Sequence, residues 1–434
     1  MEPLLAAVVL FGTFAVLLAL SVPISVGIII SAFATALVLL PWSGTTYVIG
    51  QQMNMGVESF SLLAVPLFIL AGNIMNNGGI AQRLVDLALV IAGRVPGSLA
   101  HTNVLANMLF GSLSGSAVAS AAAIGGTLHE RQRKAGYDPA FSTSVNIASA
   151  SVGLLIPPTT AAIVYSTVAG GVSVAALFMA GYVPGILMGL VVMAIAFVVA
   201  RRRGYRSDRR VSPAEAARTF GRAVPSLLLV VVAVGGIVAG VFTATEGAAV
   251  AVLYCLVLSF IYRSLDVAAL KQIAMRTVSA TGVVMLLIAA SSAMAWVMAY
   301  SGIPGALTSA LISATDSAVL ILAMMVAILL VVGTFLDITP AILIFTPIFL
   351  PIAAELGMDP VHFGMVLILA MCIGTMTPPV GSVLFVATGV SGVSIEQVVP
   401  RLLPYFAGLV ALLLLITYVP ALSLGIPGMM GLLG

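Results

Sequence analysis

The sequence predicts an all-α polytopic membrane protein built as an inverted repeat, with two re-entrant helical hairpins and two broken spans. Three observations carry this expectation. Hydrophobic residues make up 61% of the 434 residues and charged residues only 7%, where soluble domains carry about 25% charged residues. Apolar stretches of about 20 residues, the length that crosses a bilayer, recur along the whole chain. Finally, the two halves match at a constant offset of 221 residues. Gly136, Asp138 and Pro139 match Gly357, Asp359 and Pro360; Gly153, Pro157 and Pro158 match Gly374, Pro378 and Pro379; Gly171-Val172-Ser173 matches Gly392-Val393-Ser394. A fixed period in Gly, Pro and Asp marks a structural repeat.

The elements follow in order. Apolar runs Leu4–Leu20 and Ile24–Leu40 are two spans separated by Ser21-Val22-Pro23, and the more polar stretch Pro41–Phe60 follows. Leu62–Met75 is a third span, broken by Asn76-Asn77-Gly78-Gly79. Ile80–Gly93 sets Gln82, Arg83 and Asp86 among aliphatic residues, the pattern of an interfacial helix. The Ser98–Arg131 tract contains a polar break at Leu109–Ser120. With only about 10–14 mainly apolar residues on each side, it reads as a hairpin rather than a crossing. Phe141–Val168 is a span interrupted at Gly153 and Pro157-Pro158, and Val174–Ala200 is a full span.

Residues 1–200 thus form the first repeat, with its hairpin near 98–131. Residues 201–222 form a basic loop with eight arginines, and 223–434 form the second repeat. The second repeat holds spans at Ala223–Phe242 and Gly247–Tyr262, a short linker with Asp266 and Lys271, and a span at Val278–Tyr300. Then come a hairpin near 318–356 with its break at Val331–Ile342, an interrupted span at Gly364–Val390, and a last span at Leu402–Leu424. No block is long enough for a separate soluble domain. Cys255 and Cys372 lie in apolar runs and read as buried thiols. The start MEPLLAAVVL has no basic region, so no cleaved signal peptide is expected.

Arg and Lys set the orientation. Arg131, Arg133, Lys134, the 201–222 loop, Arg263, Lys271 and Arg276 fall on one side, which is read as cytoplasmic. The N-terminus is then outside. Five crossings per half invert the second repeat, so the two hairpins open from opposite faces.

Polar breaks at bilayer depth need their backbone groups satisfied by protein, water or ligand. Two at matching places in two halves point to a transport site. At the first tip, Ser112, Ser114, Gly115 and Ser116 surround the turn. A half-helix N-terminus there suits a carboxylate; close helix packing is the alternative use of such small residues. At the second tip lie Gly333, Thr334, Asp337, Thr339 and Pro340, with Thr339 expected as the N-cap and Pro340 as the first helical residue. Asp337 needs a partner at that depth, a cation, a proton or capped N–H groups. The breaks GLLIPPTT (Gly153–Thr160) and GTMTPPVG (Gly374–Gly381) free carbonyls, because proline cannot donate back along a helix. Carbonyls and hydroxyls form a hard-oxygen set suited to sodium. The candidate sodium ligands are Gly111, Asn146, Ser149, Gly153, Gly333, Asp337, Gly374 and Thr377. The candidate substrate contacts are Ser112, Ser114, Gly115, Ser116, Thr334, Thr339, Pro158 and Pro379. Glu246 is either a helix-start carboxylate or a functional one, and His101 and His129 flank the first hairpin.

Together with the Ser112–Ser116 tip, the Asp337 tip and the duplicated Pro-Pro breaks, the stretch GGIVAGVFTATEGAAVAVLY (Gly235–Tyr254) resembles the large membrane subunit of the TRAP (tripartite ATP-independent periplasmic) transporters. The resemblance covers essentially the whole chain. It implies a fold like that of elevator-type ion transporters, with a scaffold and a mobile transport domain. It implies a permease, not an enzyme: sodium-coupled uptake, in a bacterial inner membrane, of small organic acids such as C4-dicarboxylates, sialic acid or keto acids. The implied partners are a small four-helix membrane subunit and a periplasmic substrate-binding protein. No Arg or Lys lies in the expected cleft, so an anion would rely on half-helix N-termini, hydroxyls and bound sodium. Two other functions fit parts of the pattern. One is a stand-alone ion or organic-acid exchanger. The other is an intramembrane serine protease using Ser114 with His101 or His129, which needs a base within hydrogen-bond reach of the serine.

Overall fold

A computed structural model describes residues 3–77, 80–93, 95–205, 212–315 and 317–433. The Gly78-Gly79 break, residues 206–211 of the basic loop and Asp316 lie outside the described residues. The described chain is helical, without strands.

In the first half, α1 (Pro3–Ala19) and α2 (Ile24–Leu39) are the two expected spans. The polar stretch after them is also helical, as α3 (Trp42–Val57). It turns by 61° through a 3-10 turn at Phe60–Leu63 into α4 (Ala64–Asn77). The amphipathic α5 (Ile80–Ala92) follows, with the Arg83 guanidinium carbon 3.4 Å from the centroid of the Tyr262 ring. The hairpin is α6 (Ser98–Ser114) and α7 (Ala117–Lys134). The interrupted span is α8 (Pro139–Ala150), a 3-10 turn at Val152–Leu154, and α9 (Thr160–Val168). α10 (Val174–Arg203) runs back to the basic end of the molecule.

The second half repeats this plan as α11 (Pro213–Val238), α12 (Ala244–Ile261), α13 (Val267–Tyr300) and α14 (Ile303–Ala314). The hairpin is α15 (Ala318–Gly333) and α16 (Ile338–Glu355), the interrupted span is α17 (Pro360–Gly374) and α18 (Ser382–Ser391), and α19 (Ile395–Tyr418) is the last span. α20 (Ala421–Met429) has no counterpart among the described residues of the first half. It is tied to α17, with Ser423 Oγ 2.5 Å from His362 Nδ1.

Three local expectations change. The 201–222 segment is not all loop, because Ser212 caps α11 and Pro213 starts it, a combination that pre-forms a first turn. The linker around Lys271 is the start of the 34-residue α13. No proline or glycine interrupts 266–281, so the helix continues through its polar residues. The hairpin arms are 16 to 18 residues long, about 24–27 Å, so in the first hairpin the helices run past the 10–14 mainly apolar residues on each side of its break.

Helix starts are specified locally in both repeats. Asp138 and Asp359 cap α8 and α17, each followed by Pro at the first position. Thr243 and Glu246 form a reciprocal capping box on α12, so Glu246 is a helix-start carboxylate. The repeats then cross-pack symmetrically. The second arm of each hairpin lies on the second arm of the other half's interrupted span, α7 on α18 and α16 on α9. Ser151 and Cys372 are repeat counterparts 221 residues apart, and they meet: Ser151 Oγ donates to the Cys372 carbonyl at 3.1 Å, and Cys372 Sγ lies 3.5 Å from the Ser151 carbonyl. A residue touching its own counterpart marks where the pseudo-two-fold axis passes.

At the basic end, Asp138 joins three elements. It caps α8 and accepts from Arg203 Nη1 of α10 (2.6 Å) and Arg401 Nε of α19 (2.9 Å). Partial burial works to raise its pKa, but the hydrogen bonds from Arg203 and Arg401 outweigh that and hold it below the ordinary aspartate value.

Candidate functional site

The centre of the site is a contact of bare backbone. Each hairpin touches the interrupted span of its own half where two glycines face each other. A Cβ added to Gly153 would stand 2.4 Å from Gly111 Cα, and one on Gly374 would stand 2.5 Å from Gly333 Cα. No side chain fits between them. All four glycines were expected from the sequence, and the fold brings them together in two equivalent pairs. Pro157 and Pro158 cannot donate to the carbonyls of Gly153 and Leu154, so main-chain oxygens are left near the first pair. Both Pro-Pro bonds, Pro157-Pro158 and Pro378-Pro379, are cis.

The tips converge on one cavity of about 70 Å³. Gly115, Ser116 and Ala117 of the first tip, Thr160 at the start of α9, and Asp337 and Thr339 of the second tip line it. The first tip reverses at Gly115 (φ 63°), the left-handed region that favours glycine. Ser116 then caps α7, its Oγ accepting from the Ala119 N–H at 3.2 Å. At the second tip, Asp337 rather than Thr339 occupies the cap position. Ile338 is the first helical residue and Pro340 stands two further on, with no side-chain cap bond. A proline anywhere in the first turn lacks only an N–H that the helix could not use, which is why the placement shifted. Ser382 Oγ, at the start of α18, lies 3.5 Å from Asp337 Oδ1. The cavity therefore carries one carboxylate, several hydroxyls and the N-terminal ends of α7, α9 and α16.

The other expected residues distribute around it. Ser112 and Ser114 bond within the first tip, to the carbonyls of Leu109 (3.0 Å) and Ser116 (3.5 Å). Thr334 is buried and donates to the Val331 carbonyl, and the Thr377 hydroxyl donates to the Ile373 carbonyl. Pro158 is buried in its break, whereas Pro379 is exposed.

Asn146 and Ser149 are held elsewhere. Asn107 Nδ2 of α6 points at Asn103 Oδ1 (2.9 Å), Asn146 Oδ1 (3.1 Å) and Ser149 Oγ (2.8 Å). Ser120 Oγ donates to Asn107 Oδ1 at 2.7 Å, and Asn146 Nδ2 donates to the Ala121 carbonyl at 2.9 Å. These five side chains fasten the hairpin to α8, toward the basic end from the tip. The sequence reading missed Asn103, Asn107 and Ser120; two asparagines four apart in an apolar arm were the available signal. It also missed Thr160 and Ser382, which no pattern in the chain distinguishes from other hydroxyl residues.

Ser114, the serine of the hydrolytic alternative, has neither His101 nor His129 within hydrogen-bond reach. His101 lies 3.1 Å from the Pro96 carbonyl, thirteen residues back along α6 from Ser114, about 20 Å. His129 lines a small cavity with Ser142 and Ser391, near the other end of α7. That geometry excludes the protease reading.

Comparison with known proteins agrees with this architecture. The family model described as "Tripartite ATP-independent periplasmic transporter, DctM component" matches residues 11–422. The chain is 50% identical over 420 residues to YgiK of Salmonella typhimurium, covering 97% of each chain. It is 38% identical over 376 residues to the C4-dicarboxylate TRAP transporter large permease protein DctM of Pseudomonas aeruginosa, covering 86% of this chain and 88% of that one. Among solved structures, the YdaH transporter of Alcanivorax borkumensis, whose topology is described as unusual, aligns with a TM-score of 0.63. That alignment covers 87% of this chain and 89% of the other at 15% identity, which is a likeness of fold.

Proposed function

This chain belongs to the DctM component family of the tripartite ATP-independent periplasmic transporters, and on that premise we propose that it imports a small organic acid coupled to sodium. It is a multi-pass membrane permease and not an enzyme, and its family works as a tripartite system with a small membrane subunit and a periplasmic binding protein. The convergence of both hairpin tips on one cavity with Asp337 in its wall supports the coupled reading best.

In this reading the acid's carboxylate faces the N-terminal ends of α7, α9 and α16 and the hydroxyls of Ser116 and Thr339. Sodium, as co-transported cargo, takes main-chain oxygens around the Gly111–Gly153 and Gly333–Gly374 pairs, with Asp337 supplying charge at the second. The donors fit a hard cation, being oxygens held against bare backbone where no Cβ intrudes. Asn146 and Ser149 support the hairpin rather than the ion. Residues 1–200 and 223–434 act as the two inverted repeats, joined through the basic segment 201–222 on the cytoplasmic side of a bacterial inner membrane, with the N-terminus outside. The two hairpins and two interrupted spans move as one body past the remaining spans. The small subunit, a separate four-helix chain, docks on those spans, and the binding protein delivers substrate from outside. That the Pseudomonas aeruginosa relative carries C4-dicarboxylates in its name makes such acids the first to try. Uptake into proteoliposomes, with both partners added and an imposed sodium gradient, tests the proposal. Accumulation should vanish when the gradient is collapsed; accumulation that persists would sink the coupling.

A further inference from the structure

Away from the tip cavity there is a larger cleft, of about 470 Å³. Its position follows from connectivity. It lies beside Ser166, Thr167 and Gly171 at the end of α9, just before α10 begins, and so at the end of the molecule opposite Arg201–Arg203. The bend from α3 into α4 supplies a second wall with Gln52, Gly56, Ser59 and Ser61, and Ser291 and Ser292 of α13 supply a third. In the second half the counterpart of the bent pair is the single helix α13, so the 61° bend is peculiar to the first half. Gly56 lets the walls close up, since a Cβ there would stand 2.5 Å from Ser292 Cβ.

Two helices run from the tip cavity into this cleft. Along α9, Thr160 lines the first and Ser166 the second; along α16, Ile338 lines the first and Leu343 the second. Five or six helical residues separate the two spaces, about 8–9 Å. The cleft also contains an unanswered group. Ser291 is 3% exposed, lines the cleft, and its hydroxyl has no hydrogen-bond partner. A buried hydroxyl left unpaired is costly, so a polar occupant is favoured at that spot. The polar part of the lining is hydroxyls and one amide, without a charged side chain, set among Met55, Val168, Ile288, Ala295 and Leu343. That suits a small oxygen-rich solute whose carboxylate and hydroxyl oxygens accept hydrogen bonds, and it is weak enough to release it onward.

We propose that this cleft is an outer holding site for a small organic acid, occupied before the acid reaches the tips, with the Ser291 hydroxyl as its buried contact. The proposal rests on the import reading above. Both native cysteines are buried, so an introduced thiol reports alone. Ser292→Cys, and Ser59→Cys on the opposite wall, would be made in the full chain co-purified with its small subunit in nanodiscs. A charged maleimide would be timed with and without millimolar succinate, pyruvate or gluconate. At least one acid should slow labelling at both positions about threefold or more, as occupancy at a few times the dissociation constant requires. Adding Ser291→Val should remove that protection, and Ser291→Thr should restore it. Labelling unaffected by all three acids, or protection that survives Ser291→Val, would overturn the holding site. Import and protection are read separately. Import without protection removes this site and leaves the transport reading, and protection without import does the reverse.

Discussion

The two hairpins rest on their interrupted spans through the same glycine-on-glycine contact, yet they are furnished differently. Behind the first tip lie five buried polar side chains, Asn103, Asn107, Ser120, Asn146 and Ser149. Counting the first arm back from its facing glycine, the second half has Met325, Leu329, Ala341, Leu367 and Ala370 at the corresponding places. Exposure is reversed at the breaks, with Pro157 and Pro158 buried and Pro378, Pro379 and Val380 exposed. Charge is unequal too, because only the second tip carries a carboxylate. Backbone contact is therefore the shared requirement, and side chains divide the labour. The first unit is pinned to its span by directional hydrogen bonds, whereas the second is held by apolar packing and presents Asp337 to the cavity.

The shared part should be the least forgiving. Gly153→Ala and Gly374→Ala each drive a methyl into backbone, an overpacking of about 1–3 kcal/mol at the site itself. Both should lower uptake roughly tenfold or more, with the purified protein still monodisperse by size exclusion. Gly389→Ala, whose added Cβ meets nothing within 4 Å, should leave uptake unchanged. A large effect of one glycine and none of its counterpart would break the symmetry of the contact.

The unequal parts come next. Asn107→Leu strands the partners of the central asparagine and should destabilise the chain by about 1–3 kcal/mol in a denaturant or thermal series. Replacing all five polar residues with apolar ones, as in the second half, should recover most of that loss, since removing both members of a buried pair is far milder than removing one. Asp337→Asn should weaken the dependence of uptake on sodium. Ser116→Ala should instead lose a helix cap, about 0.5–2 kcal/mol of stability, and weaken the apparent affinity for the acid, with its sodium dependence intact.

The smallest effect belongs to the basic end. Asp138 has a folded pKa below its unfolded value, so its bonds to Arg203 and Arg401 contribute stability above about pH 4. That contribution disappears as pH falls through the lower folded value. The pair is partly solvated, so Asp138→Asn should cost only about 1 kcal/mol at neutral pH. It should also flatten the acid limb of a thermal-stability profile, and an unchanged acid limb would assign that limb to other carboxylates.

Much of this was legible because repeats are written in glycine, proline and aspartate, residues that constrain the backbone directly. The helix starts at Asp138-Pro139 and Asp359-Pro360, the four facing glycines and both tips follow from such positions. Side-chain direction is less legible. Asn146 and Ser149 lie close in sequence to the first break, but their side chains turn toward α6 and its asparagines. The meeting of Ser151 with Cys372 depends on where two halves of the fold pack, which no local pattern encodes. The bend of α3 into α4 and the straightness of α13 show that matching segments need not keep matching shapes.

The claim that both tips form one site can be tested by joining them. In the full chain, whose own cysteines are buried, Ser116→Cys and Thr339→Cys would be combined and treated with a short bifunctional thiol reagent cleavable by reductant. The two residues line the same cavity of about 70 Å³. Cross-linking within one chain should therefore occur and stop uptake, reductant should restore it, and neither single cysteine should form the intramolecular cross-link. Efficient cross-linking with uptake undiminished, or no cross-link in a chain that transports, would contradict the single shared site.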